Sequence, residues 1–196
     1  MKTSICCGTA VLLPGVGQWR SDPNAAPLKI KSDGMRNQII AARFGSRGTD
    51  FHGSMPTRSL PLKIESAPEK TKSFALTLID YDAVGAVGVC WVHWLLCNFT
   101  GRELPENAAV EQRSNLTQGM NSWGSALLGS NALRPEEASA YGGMAPPDRP
   151  HRYDLTVYAL NDFLNLDNGF TWNQLLHEVQ PHLLAAATLT GVYRNP

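Results

Sequence analysis

Three apolar segments constrain the fold of this 196-residue chain more than any other feature. They span residues 73–80 (SFALTLID), 91–99 (WVHWLLCNF) and 153–160 (YDLTVYAL). Alternate residues of an extended strand share a face, and in 73–80 both faces are largely apolar, one of them ending in Asp80. Such segments predict inner strands that are covered on two sides.

The connections between these segments are rich in Gly, Pro and Asn, which is the pattern of an all-β sandwich. A further short strand is predicted over 59–64, and the strand that begins at residue 73 is expected to reach residue 82. We interpret the stretch 100–150 as a long loop with little regular structure. A loop of that length inside a compact domain is usually functional.

The tail changes to a helical period. Apolar residues recur at i, i+3, i+4, i+7 and i+11 from Trp172 onwards, which predicts an amphipathic helix. Thr171 and Gln174 have the spacing of a capping box, so the helix should begin there. Pro181 is expected to end it and could start a second helix over 181–187. A short return strand is predicted in the final TLTGVYR.

The chain divides into an N-terminal arm or leader, residues 1–27, and one folded domain, residues 28–196. Residues 1–17 hold one Lys and an apolar stretch that Pro14 interrupts, which makes a poor export signal. Because the arm lacks a periodic apolar pattern, we expect it to be poorly ordered and to add little to stability. An export signal remains the alternative for these residues.

Composition and charge exclude several classes of function. Lys plus Arg and Asp plus Glu both number 17, whereas a nucleic-acid reader normally carries a basic excess. No apolar run approaches the ~18 residues of a membrane-spanning helix. Cys90 and Cys97 would lie about 23 Å apart along a strand, too far for a disulfide. We therefore predict a cytoplasmic protein that has no disulfide framework, metal site or cofactor.

Polar side chains lie at the ends or in the middle of the apolar strands: DYD at 80–82, His93, and HRY at 151–153. Strand alternation would put both aspartates on one side, and His151 and Tyr153 on one face. Each feature has a structural alternative. Aspartates at a strand end are commonly turn residues, and a single histidine in an apolar strand is more often a satisfied core residue.

In combination, these motifs resemble the phosphatidylethanolamine-binding protein family, and more narrowly its bacterial Raf-kinase-inhibitor-like branch. The resemblance covers roughly residues 53–194. It is carried, in chain order, by TKSFAL (71–76), WVHWLL (91–96), LPENA (104–108), NSWG (121–124), APPDRPHRY (145–153) and GVYR (191–194). The chain departs from the family at DYDAV (80–84), where the usual DPDAP has two prolines.

The resemblance implies a mainly β fold, an antiparallel β-sandwich of a large and a small sheet with a C-terminal helical segment. It also implies a shallow pocket for phosphate, acetate or a phospholipid head group. By match to the motifs, the pocket would be formed by Asp80, Trp91, His93, Gly143, Pro146, Pro147, His151 and Tyr153. Imidazole N–H, tyrosine hydroxyl and loop amides would donate to anion oxygens. The Asp80 carboxylate would orient a histidine or accept from an ammonium group.

The predicted function is therefore binding of a small anion, a phosphorylated small molecule or a phospholipid head group, without catalysis. An inhibitor or scaffold that docks on a protein kinase or protease is the alternative, with residues 125–140 as its candidate surface; the chain could act as a homodimer. A third possibility is a hydrolase in which His93, His151 and the two aspartates form a metal site or an acid–base dyad. The sequence contains no GxSxG, HExxH or P-loop motif to support that possibility.

Overall fold

Strands dominate the computed structural model, which describes residues 27–194. In chain order they are β1 (Lys29–Lys31), β2 (Met35–Arg36), β3 (Ile39–Ile40), β4 (Phe51–His52), β5 (Met55–Pro56), β6 (Leu62–Ser66), β7 (Ser73–Asp80), β8 (Trp91–Phe99), β9 (Glu103–Leu104), β10 (Thr117–Gly119), β11 (His151–Leu160) and β12 (Leu183–Tyr193). The helices are short: α1 (Ala83–Val87), α2 (Ala108–Glu111), α3 (Pro135–Ala138) and α4 (Trp172–Val179). Single 3-10 segments cover Ala42–Phe44, Arg113–Asn115, Ser122–Gly124, Ala126–Asn131 and Gln180–His182.

Two sheets form the layers of the fold. The large sheet has seven strands in the order β10-β8-β7-β11-β12-β3-β2, and the small sheet has the order β1-β6-β9. The strand pairs of the large sheet are antiparallel except for β12 with β3, which run parallel. A separate two-stranded hairpin joins β4 to β5. The predicted sandwich of a large and a small sheet is confirmed, with one parallel pair that the sequence did not indicate.

Strand β7 lies at the centre of the packing, and each of its residues is buried. On one face, Leu76 and Leu78 belong to a core cluster that includes Leu62 of the small sheet. On the other face, Ala75 packs in a second cluster with Leu175 of α4. Both faces of this strand are therefore covered, as the two-sided apolar pattern predicted.

Several element boundaries differ from the prediction. The strand expected over 59–64 is β6, which begins and ends later, and β7 ends at Asp80, two residues early, because the chain turns there into α1. The stretch 100–150 is not a continuous irregular loop. It carries β9, α2, β10, α3 and three 3-10 segments, each too short to give a periodic signal in the sequence.

The tail confirms the first helix but not the second. Thr171 caps α4, and its capping box with Gln174 is present. Pro181 lies in a 3-10 turn, and the residues after it form β12, not a helix over 181–187. This strand pairs with β11 along its length, so backbone pairing in the sheet overrides the helical propensity of the Leu-Leu-Ala-Ala-Ala run.

Two sequence-based expectations concern cysteines and membranes. Cys90 and Cys97 are both free thiols, and Cys97 is a buried core residue. Within residues 27–194, no helix has the length and apolar character needed to cross a membrane. The predicted arm of residues 1–27 lies, apart from its last residue, outside the described residues.

Strand β8 has a bulge at Cys97 and Asn98, which lie opposite the single residue Ala75 of β7. Asn98 has a φ of 57°, in the left-handed region. Its side chain donates to the carbonyl oxygen of Leu164 (2.9 Å) and accepts from the amide of Leu164 (2.8 Å). We expect Asn98→Ala to lower the free energy of unfolding by roughly 2–4 kcal/mol, because two hydrogen bonds are lost and alanine is strained at that φ.

Asn98→Gly is the matched comparison, since glycine adopts a positive φ without strain. It should therefore lose less stability than the alanine variant in urea denaturation. Equal losses in the two variants would contradict a contribution from backbone strain.

Candidate functional site

An open cavity of about 710 Å³ lies where β7 ends and β8 begins. Helix α1 contributes to one of its walls, and residues 128–133 contribute to another. It is lined by Gly53, Ser54, Asp80, Ala83, Ala86, Val87, Trp91, His93, Trp123, Leu128, Asn131, Leu133, Ala145 and Pro147. Of the predicted site residues, Asp80, Trp91, His93 and Pro147 line the cavity.

The register of the large sheet brings the predicted residues together. Asp80 pairs with Trp91 of β8 on one side and with Tyr153 of β11 on the other. His93 and His151 each lie two residues from one of these partners, and residues two apart share a face of a strand. Polar groups from three separate parts of the sequence therefore meet at one end of β7, but His151 and Tyr153 do not themselves line the cavity.

His151 lies behind Asp80, held between two carboxylates. Its Nδ1 is 2.7 Å from Oδ2 of Asp80, and its Nε2 is 2.8 Å from Oδ1 of Asp148. Carboxylates only accept, so both ring nitrogens carry protons. Burial lowers the pKa of His151, but its hydrogen bonds to Asp80 and Asp148 outweigh that effect and raise the pKa overall.

This arrangement differs from the direct contact with an anion that we expected of His151. Both of its N–H groups are already used, and one of them holds Asp80 in place. The second oxygen of Asp80 is used as well, because Oδ1 accepts from the amide of Ala83 at 3.0 Å and so fixes the first turn of α1. The imidazolium and the carboxylate form a closed ion pair at the base of the site.

His93 has a different protonation pattern. Its Nδ1 lies 2.7 Å from the carbonyl oxygen of Gly142, an acceptor, so Nδ1 carries the proton. Its Nε2 is buried and has no hydrogen-bond partner. Burial lowers the pKa of His93 to about 4. At neutral pH the ring is therefore uncharged, and Nε2 presents a lone pair.

Tyr153 supplies the opposite kind of group next to His93. Their rings pack edge to face with centroids 5.1 Å apart. The Tyr153 hydroxyl is buried and makes no hydrogen bond of good geometry, although it lies close enough to the Asp80 carboxylate to interact with it. Burial and the nearby Asp80 carboxylate raise the pKa of Tyr153, so the hydroxyl keeps its proton. An unused donor and an unused acceptor thus lie in neighbouring side chains.

We expect loop amides to donate to a ligand, but the amides of Gly142 and Gly143 already have partners within the fold. The amide of Gly142 donates to the carbonyl of His93 (2.7 Å), and that of Gly143 donates to the carbonyl of Pro56 (2.8 Å). A Cβ at Gly143 would collide with the carbonyl oxygen of Phe44. These glycines allow close backbone packing, whereas Pro146 beyond them is buried and does not line the cavity.

Asp82 also departs from the prediction that both aspartates share a side. The strand ends before it, and its backbone is helical (φ −67°, ψ −22°). Its Oδ2 accepts from the amide of Arg152 at 2.9 Å, which ties the start of β11 to the turn before α1. Asp82 is therefore a turn residue, the structural alternative considered above.

Two contributors were not singled out from the sequence. Trp123 lines the cavity and packs edge to face against Trp91 and His93, with ring centroids 5.4 Å apart in both cases. Asp148 completes the pair of carboxylates around His151. Both lie within quoted motifs, NSWG and APPDRPHRY, and an aspartate three residues before a histidine was the available signal. No group of three or more His, Cys, Asp or Glu side chains within residues 27–194 is placed to hold a metal ion.

The packing of the glycine segment is testable by adding one methyl group. We expect Gly143→Ala to lower the free energy of unfolding by roughly 1–3 kcal/mol, because the new Cβ must displace backbone. Gly85→Ala, within α1, is the control, since its Cβ would meet no atom within 4 Å and alanine favours a helix. Thermal unfolding should show loss for the first variant and none for the second. Equal behaviour would contradict the close approach.

The two histidines should affect stability with opposite dependence on pH. An unfolded histidine has a pKa near 6.5. Because the folded pKa of His93 is about 4, the unfolded state binds more protons between these values, and stability falls as pH is lowered from 6.5 to 4, by roughly 3 kcal/mol. The folded pKa of His151 is raised, so its stabilisation is present below 6.5 and is lost as pH rises through the folded pKa.

Urea denaturation from pH 4 to pH 8 can separate the two effects. The difference in stability between wild type and His93→Asn should shrink as pH falls below 6.5. The difference between wild type and His151→Gln should shrink as pH rises above it. Parallel curves for wild type and His93→Asn would show that this ring is not held neutral by the fold.

Comparison with known proteins identifies the family. The family model described as phosphatidylethanolamine-binding protein matches residues 31–194. The chain is 42% identical over 136 residues to YxkA, an uncharacterised protein of Bacillus subtilis (strain 168), which covers 68% of this chain and 80% of YxkA. It is also 32% identical over 131 residues to YbcL of Escherichia coli K12, covering 64% of this chain and 66% of YbcL.

Solved structures agree with this match. CT736 of Chlamydia trachomatis, described as a homologue of the phosphatidylethanolamine-binding proteins, superposes with a TM-score of 0.68 at 26% identity, covering 87% of this chain and 99% of CT736. The crystal structure of Escherichia coli YbcL, described as a new member of the mammalian family, gives a TM-score of 0.68 at 25% identity and covers 87% of this chain and all of that one (100%). The family model spans most of the chain, and the fold agrees with it. The chain therefore belongs to the phosphatidylethanolamine-binding protein family.

Proposed function

We propose that this chain binds a small phosphate-bearing molecule, either a phosphate ester or a phospholipid head group, in the cavity beside Asp80. One observation carries the proposal. The Nε2 of His93 and the hydroxyl of Tyr153 are both buried without hydrogen-bond partners, and their rings are in contact. Two unsatisfied polar groups next to each other indicate a place where a ligand completes the hydrogen bonding.

The energetics favour this interpretation. A buried polar atom without a partner costs about 1–3 kcal/mol, and such atoms are uncommon in folded proteins. A tetrahedral phosphate group has several oxygens close together, so one group can reach neighbouring side chains. The cost of leaving His93 and Tyr153 unpaired is then recovered on binding.

The walls of the cavity suit the organic part of such a molecule. Ala86 and Val87 of α1 line the cavity, as do Leu128, Leu133 and the Trp123 ring. Ligand sites commonly combine apolar walls with a few polar groups that fix orientation. An alkyl or glycerol substituent would therefore rest against these side chains while the phosphate reaches the base.

Membership of the family supports the same class of ligand. The matching family model is described by phosphatidylethanolamine binding, and a head group of that lipid carries both a phosphate and an ammonium group. In the proposed complex the chain binds and releases the molecule unchanged. Asp80 contributes through its fixed position rather than through a free oxygen, since both of its oxygens have partners.

Removing a single hydroxyl tests the proposal. Calorimetric titration with methyl phosphate should show binding to wild type and roughly 10- to 100-fold weaker binding to Tyr153→Phe, because a hydrogen bond to a charged group contributes about 1.5–3 kcal/mol. Tyr81→Phe makes the same chemical change at a ring that packs against Trp172 and not against His93, and it should leave the affinity unchanged. Equal affinity in all three proteins would place the ligand elsewhere.

A further inference from the structure

The hydrogen bonding of His93 limits what a ligand can offer it. Nδ1 is 2.7 Å from the carbonyl oxygen of Gly142, and a carbonyl oxygen can only accept. A neutral imidazole has one N–H, so once Nδ1 holds the proton Nε2 is an acceptor. The free position of this ring can therefore be satisfied only by a group that brings a hydrogen of its own.

The surroundings keep the ring in this neutral form. The titratable groups that face it are Asp80 on β7 and, on β11, His151 and Tyr153. Asp80 is the only one that would favour a charged His93, and its two oxygens are bound to His151 and to the amide of Ala83. No carboxylate within the described residues hydrogen-bonds to the His93 ring, and the positive His151 opposes a second charge beside it.

The cavity also lacks a cation of its own. Among the described residues that line it, Asp80 is the single charged side chain, and no Lys or Arg is present. A phosphate dianion would enter without a positive partner, and burying an unpaired charge is costly. A phosphate that keeps one proton carries less charge and has both a P–OH donor and P–O acceptors.

We infer that the cavity selects ligands in a proton-donating form: a P–OH or an ammonium hydrogen donates to Nε2 of His93 while a P–O oxygen accepts from the hydroxyl of Tyr153. This inference rests on the proposed function and narrows it. The neighbouring donor and acceptor in the protein are matched by a donor and an acceptor in one ligand. A phosphate monoester supplies the donor through P–OH, and a phosphoethanolamine head group supplies it through its ammonium.

Two phosphate esters of equal charge can show whether the cavity responds to the ligand's charge or to its ability to donate a proton. Methyl phosphate has a P–OH in its monoanion, whereas dimethyl phosphate is a monoanion without one. In calorimetry on the full chain, methyl phosphate should lose affinity by on the order of 50- to 100-fold from pH 5 to pH 8, because the second proton of a phosphate monoester leaves near pH 6. Dimethyl phosphate should bind at least tenfold more weakly than methyl phosphate at pH 5.

These measurements separate selection for a proton donor from phosphate binding itself. Equal binding of the two esters, or tighter binding of methyl phosphate at pH 8, would overturn the inference and leave phosphate binding intact. No binding of any phosphate compound at any pH would overturn both. Tighter binding of glycerophosphoethanolamine than of glycerophosphocholine would show that the ammonium also acts as a donor. Equal affinities would overturn the ammonium part of the inference and restrict the donor to P–OH.

Two measurements locate the effect at His93. In ¹⁵N NMR of wild type, Nδ1 should have the shift of a protonated ring nitrogen and Nε2 that of a bare one; a protonated Nε2 at pH 7 would overturn the inference without any variant. His93→Asn keeps an N–H donor near the Gly142 carbonyl but has no acceptor atom at the position of Nε2. With native circular dichroism, it should bind methyl phosphate no better than dimethyl phosphate. Retention of the wild-type preference would also overturn the inference.

Discussion

The buried pairing of Asp80 with His151 is the interaction on which the site depends. It joins the end of β7 to the start of β11, and the remaining oxygen of Asp80 holds the first turn of α1. A buried charge is tolerated when it is paired and fully hydrogen-bonded, and Asp148 completes the pairing from the other side of His151. One wall of the cavity is therefore positioned by a carboxylate whose two oxygens are both held within the fold.

The same pairing explains why the neighbouring histidine behaves differently. The carboxylate that could have charged His93 is committed to His151, and burial then keeps His93 neutral. Two histidines at the same end of the sheet thus differ in charge, one an imidazolium in an ion pair and the other an uncharged acceptor. Environment, not residue type, assigns these roles.

The sequence predicted most of what depends on strand alternation and little of what depends on loop geometry. The two apolar faces of β7 indicated its central place, and the convergence of Asp80, His93 and Tyr153 followed from their positions at strand ends. The helix expected over 181–187 failed because pairing with β11 is a long-range interaction that local propensity does not contain. The donor and acceptor atoms of His93 depend on where the Gly142 carbonyl lies, and that position is set by tertiary packing.

The position of β12 has a consequence for how the protein reaches this structure. This strand lies inside the large sheet, between β11 and β3, and Tyr193 at its end bonds to the carbonyl of Ala42 and the amide of Arg47. Contacts between residues about 150 positions apart are slow to form, and synthesis proceeds from the N-terminus. The cavity residues leave the ribosome well before the strand that completes their sheet, so the complete sheet around the cavity can be assembled only after residue 193 has emerged.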